Sequence, residues 1–138
     1  METLFSHESI AICLIRVFTG MLFLMQGFDK IFRMGISNLI ENIKAPFLNL
    51  GIPMITIRLF AFLTSFIELF AGLFLMFGLF KFVSLYALGI DLLIASFGMA
   101  IINPMWDMKH VFPRLILISF LLLYPSAKDI LAFDHFIF

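Results

Sequence analysis

The sequence predicts an all-α integral membrane protein, a four-helix bundle with short interfacial helices in its first loop and its C-terminal tail. Three observations lead there. Of 138 residues, 63% are hydrophobic and 13% charged, with 20 Phe, where soluble chains carry about 25% charged residues. The mean hydropathy is +1.14. The apolar residues also gather into four runs, at 10–28, 55–80, 82–102 and from 111 to about 124. A helix rising 1.5 Å per residue needs about 20 apolar residues to cross roughly 30 Å of hydrocarbon, and the first three runs supply them.

The first run is read as a retained helix. A signal peptide would begin with basic residues and end at a small-residue cleavage site, whereas Glu2, His7 and Glu8 precede this run and Gly27-Phe28-Asp29-Lys30 closes it. The following "MGISNLIENIKAPFLNLGIP" is too polar to span and too apolar for a solvated linker. Asn38 can cap a short helix with Glu41 three residues on. Leu39, Ile43, Phe47 and Leu50 then fall on one side, interrupted by Pro46, so this helix is expected at the interface. The fourth run opens near Pro113, which suits a first turn, and meets Pro125, which ends or bends it. In "SAKD", Ser126 with Asp129 reads as a second cap, opening a tail with Ile130, Leu131, Phe133 and Phe136 that lies flat. Without a linker, low-complexity tract or tandem repeat, residues 1–138 form a single domain.

Composition also excludes functions. A formal net charge of zero gives no reason to expect nucleic acid. Cys13 is the only cysteine, so no internal disulfide, CxxC pair or thiolate metal site is possible. His7, His110 and His135 lack metal-ligand spacing, and His110 falls on the opposite membrane face from the other two. Neither a metal nor an intrinsic cofactor such as a bis-histidine haem is expected.

Charges inside the runs carry the functional signal. A carboxylate in hydrocarbon is costly, by roughly 2.5 to 3.5 kcal/mol on insertion scales, so Glu68 needs a partner. With the N-terminal membrane face called side A and the other side B, counting residues puts Arg16 and Glu68 both about 10 Å below side A. They are expected to pair, with Asp91 near the same level. The faces agree: Arg16, Gly20, Phe23, Gly27 and Lys30 share one, Ala61, Ser65, Glu68 and Gly72 another, Ser84, Ala87, Asp91, Ala95 and Gly98 a third. Small residues beside a buried charge permit close helix packing. One arginine against two carboxylates leaves a negative charge, so one acid is expected to hold a proton. The cluster Arg16, Glu68 and Asp91 either fixes helix register or handles a proton or ligand.

A second constellation gathers at side B, where Gln26, Lys30, Arg58, Trp106, His110 and Arg114 converge. It reads as ordinary interfacial anchoring, or as a ligand-binding pocket for a ring-bearing or anionic head group.

"RVFTGMLFLMQGFDKI", "GIP" before the second run, "IELFAGLFLMFGLF" and a closing "LAFD" together resemble the DoxX family of small bacterial membrane proteins, over nearly the whole chain. The resemblance implies a multi-pass four-helix protein of the bacterial inner membrane. The family name comes from a subunit of thiosulfate:quinone oxidoreductase, and other members are linked to oxidant-defence complexes. The leading reading is therefore a membrane subunit that binds a quinone or membrane lipid and supports a redox or sulfur-metabolism partner. Alternatives are an assembly scaffold, homo-oligomeric or not, and a proton-coupled transporter using Glu68 and Asp91. No residues stand out as catalytic. Lys30, Arg33, Lys44, Arg58, Lys109 and Arg114 at side B outnumber Lys81 and Lys128 at side A, which puts side B in the cytoplasm.

Overall fold

The computed structural model describes residues 6–102, 109–124 and 129–137, and the elements among them are helical. Helix α1 (His7–Phe28) starts at Ser6, whose side chain accepts the Ser9 N–H at 3.2 Å and satisfies one of the amides left over at a helix start. It continues into a π-helical segment, Asp29–Arg33. Gly35 then turns the chain at φ 80, in the left-handed region that glycine tolerates. Helix α2 (Ile36–Asn49) follows, without a side-chain cap and with Pro46 inside it. The cap expected at Asn38 does not form. Its amide instead donates back to the Met34 carbonyl at 2.8 Å, because Gly35 has already set the entry angle. Leu39, Ile43 and Phe47 are half-buried as expected, but Leu50 lies beyond the helix and is exposed.

Helix α3 (Met54–Phe77) stops at Gly78, φ 72. There the Leu79 N–H reaches the Phe74 carbonyl at 2.8 Å and the Gly78 N–H the Leu75 carbonyl at 3.0 Å, the paired bonds of a Schellman ending. Helices α4 (Lys81–Ile102), α5 (Val111–Leu123) and α6 (Phe133–Ile137) complete the chain.

Three helical stretches are long and apolar enough to cross a membrane: His7–Arg33, Met54–Phe77 and Lys81–Ile102. The 13 residues of α5 extend only about 20 Å, short of a straight crossing. Tyr124, just past its end, nonetheless reaches the start of α1, with its hydroxyl 3.4 Å from Glu8 Oε2.

The most extensive packing joins α1 to α3. A Cβ on Gly20 would lie 2.5 Å from the Met76 amide nitrogen, one on Gly27 2.5 Å from that of Leu69, and one on Gly72 2.5 Å from that of Leu24. The two backbones touch at these glycines, antiparallel, and that contact sets the register. Phe23, Leu75, Leu85, Leu88 and Leu121, each fully buried, fill the interior beside it.

The C-terminal segment departs from expectation. Ser126 lies outside the described residues, but Asp129 and Ala132 are buried rather than lying flat on the membrane. The Asp134 carboxylate accepts the backbone N–H groups of Phe80 and Lys81, both at 2.8 Å, and its own N–H donates to the Gly78 carbonyl at 3.0 Å. The tail thus fills the gap where α3 has ended and α4 begins.

Candidate functional site

Helix register decides which buried charges meet. The glycine contacts place Gln26 beside Glu68, and the Gln26 Nε2 donates to Glu68 Oε1 at 2.8 Å. Lys30 lies four residues further, in the π-helical segment, whose wider turn re-phases its side chains relative to α1. Its ammonium reaches Glu68 Oε2 at 2.6 Å, with side-chain exposures of 19% for Lys30 and 2% for Glu68. The Asp91 carboxyl of α4 sits against that of Glu68 and within the field of Lys30. Arg114 of α5 stands nearby, close enough for its charge to be felt at Glu68, with its guanidinium carbon 5.8 Å from the Phe23 ring centre. Four helices therefore meet at one polar centre, formed by Gln26, Lys30, Glu68, Asp91 and Arg114.

Hydrogen bonding at this centre is incomplete. Asp91 is 2% exposed, yet among the described residues neither of its oxygens has a hydrogen-bond donor, and Gln26 Oε1 has none either. A contact between two carboxyls is a hydrogen bond only when a proton lies between them. Buried polar groups are nearly always partnered, so these atoms are where a shared proton, a water or a ligand group can be taken up.

The expected Arg16–Glu68 pair is not formed. Arg16 Nε lies 3.3 Å from Asp129 Oδ2. Its Nη1 donates to the carbonyls of Leu75 and Met76 at 3.1 and 2.9 Å, and its Nη2 to the Leu131 carbonyl at 3.2 Å and Cys13 Sγ at 3.6 Å. Lys81 Nζ shares Asp129, 2.9 Å from Oδ2. Depth counting failed because it levelled the ends of α1 and α3 at one membrane face, whereas α1 projects past the end of α3. Arg16 consequently meets the last carbonyls of α3, where a cation is favoured, and Glu68 lies about two turns away along α3. Arg16, Lys81 and Asp129 make a second buried cluster, joined by ion pairs on Asp129 Oδ2, while Asp129 Oδ1 has no donor among the described residues.

The side B constellation also divides. Gln26, Lys30 and Arg114 join Glu68 and Asp91. Arg58 instead lines an open groove between α2 and α3, with Ser37, Glu41 and Phe62. His110 is exposed before α5, and Trp106 lies outside the described residues. Sequence reasoning missed Asp129 and Lys81 as members of a buried cluster, and Lys30 as the partner of Glu68. A usable signal existed: Gly20 and Gly27 are a heptad apart in α1, as are Ser65 and Gly72 in α3, and aligning them antiparallel brings Gln26 to Glu68.

This architecture defines a multi-pass helical membrane protein with a buried polar centre. The DoxX family profile matches residues 11–101, a stretch containing Arg16, Gln26, Lys30, Glu68, Lys81 and Asp91, and the chain belongs to the DoxX family. No curated protein and no solved structure matches it.

Proposed function

We propose that the protein binds the polar head of a quinone or quinone-like lipid at Gln26, Lys30, Glu68, Asp91 and Arg114, and offers it to a redox partner in the bacterial inner membrane. The observation that carries this reading is Asp91, fully buried at mid-helix with no described donor, against the Glu68 carboxyl that Lys30 and the Gln26 amide hold. Lys30 and Arg114 can donate to a carbonyl oxygen, Asp91 and Gln26 can accept from a hydroxyl, and a planar two-oxygen head group needs both. Bound there, a quinone would supply reversible two-electron redox chemistry. The residues orient the ring and keep its polar edge out of the hydrocarbon.

The test is binding of a short-chain ubiquinone analogue to purified protein, native against a Gln26→Leu, Arg114→Met double variant. Loss of one acceptor and one donor is expected to weaken binding by about tenfold or more. Equal binding by both proteins, or none by either, moves the cluster to an assembly role. The adjacent carboxyls of Glu68 and Asp91 favour a second reading, a proton relay for transport. It requires proton-coupled flux in liposomes that Asp91→Asn abolishes.

A further inference from the structure

The polar centre is unequal in what it offers a ligand. Glu68 is engaged on both oxygens, by a hydrogen bond from Gln26 at 2.8 Å on Oε1 and an ion pair with Lys30 at 2.6 Å on Oε2. Asp91 Oδ1, Asp91 Oδ2 and Gln26 Oε1 are buried acceptors with no donor among the described residues. Gln26 cannot help by turning over, since its Nε2 is committed to Glu68. Even with one proton held between Asp91 and Glu68, one Asp91 oxygen and Gln26 Oε1 remain to be satisfied. Against these acceptors, the donors are the remaining N–H groups of Lys30 and those of Arg114, both only partly buried. The deep part of the site thus asks for donors, and donors stand at its outer part.

The geometry points to a site selective for the reduced, hydroxyl-bearing form of its ligand, a quinol, over the carbonyl-bearing quinone. This rests on the head-group reading above. A ligand O–H directed at Asp91 or Gln26 Oε1 satisfies a buried acceptor, whereas a carbonyl oxygen in the same place sets lone pair against lone pair. Sites that hydrogen-bond a particular group discriminate strongly against the analogue lacking it, because the site's own polar atoms are then stranded. The two forms interconvert as quinone plus two electrons and two protons gives quinol. A tenfold preference for the quinol therefore raises the potential of the bound couple by about 30 mV.

Three probes separate the possibilities: trimethylhydroquinone, its oxidised benzoquinone, and the dimethyl ether of the hydroquinone, which keeps the ring but cannot donate. Binding to the full chain in lipid nanodiscs is measured anaerobically. The hydroquinone is expected to bind at least about tenfold more tightly than either of the others. Asp91→Asn, which puts an amide donor where an acceptor stood, is expected to bring the ratio close to one. Gln26→Leu, which deletes the other waiting acceptor, lowers it independently should the first variant not fold. Equal binding of hydroquinone and benzoquinone overturns the selectivity while leaving the head-group reading intact. A hydroquinone bound no better than its ether, or a ratio unmoved by both variants, also overturns it. If none of the three probes binds, the head-group reading falls as well.

Discussion

Lys30 and Glu68 illustrate how a single residue's partner sets its energetic role. The pair is short, at 2.6 Å, and Glu68 contributes a side chain only 2% exposed. Removing one member strands the other charge in a weakly polarisable interior, which typically costs 3 to 5 kcal/mol, whereas removing both is often nearly neutral. Lys30→Met is accordingly expected to destabilise the protein by about 3 kcal/mol, and Lys30→Met with Glu68→Met by clearly less. Denaturant or thermal unfolding in micelles measures both, and a double variant as unstable as the sum of the two singles contradicts the pairing. Asp129 is a parallel case, because it holds both Arg16 and Lys81, with side-chain exposures of 2% and 4%. Asp129→Ala should cost about 3 kcal/mol or more. Asp134→Ala removes a carboxylate that caps the first turn of α4 and should cost about 1 kcal/mol. If the two substitutions prove equally costly, Asp129 is not the hub of the second cluster.

At the scale of elements, the contact between α1 and α3 is set by glycine rather than by large apolar side chains. An added methyl on Gly20, Gly27 or Gly72 meets neighbouring backbone at 2.5 Å, and backbone cannot turn aside as a side chain can. Gly27→Ala should therefore push the helices apart, costing about 1 to 3 kcal/mol and disturbing the Gln26–Glu68 bond beside it. Gly89→Ala is the contrast. Its methyl would find only Ile118 Cγ2, at 3.7 Å, an ordinary contact, so the helical preference of alanine should leave stability unchanged or raise it by up to about 1 kcal/mol. Matched unfolding curves decide between these outcomes, and similar losses at both positions would falsify the close-contact account. Apolar runs and small-residue faces made the spans legible, and the inward faces of α1 and α3 emerge as their spacing implies, with Arg16, Gly20, Phe23, Gly27, Ala61, Ser65, Glu68 and Gly72 all buried. Axial register was harder to read, because helical periodicity fixes a face and not a height. Only the pairing of small residues between helices encodes height. The inward turn of Asp129 was not legible at all, since a carboxylate beside Ile130 and Leu131 has the pattern of an amphipathic surface segment.

Across the whole molecule, the two buried clusters stand one above the other, separated along α1 by the distance from Arg16 to Gln26, about 15 Å. The upper one binds the C-terminal segment to α1 and α4, and the lower one gathers α1, α3, α4 and α5. Tyr124 beside Glu8 and Asp134 at the start of α4 bring the end of α5 and the tail to the membrane face where α1 begins. Which face this is follows from the basic residues. Lys81 is buried against Asp129 and Lys30 is drawn into the bundle by Glu68, so neither stands in a loop as a topological signal, and Arg114 belongs to the polar centre. Arg33, Lys44, Arg58 and Lys109 remain on the side of α2 and the start of α5, against Lys128 alone on the other, and by the positive-inside rule that excess predicts a cytoplasmic position for their side. Ion pairing of Arg33 with Asp29 and Lys44 with Glu41 does not cancel it, because orientation follows positive residues rather than net charge. Single cysteines at Ser6 and Ile137 should then react with an impermeant maleimide added outside intact cells, and one at Ser37 only after the inner face is opened. Cys13→Ser provides the background while keeping an acceptor for Arg16 Nη2. Labelling of Ser6 and Ile137 from opposite faces contradicts the fold, whereas labelling of both from the inside alone leaves the fold intact and reverses its orientation.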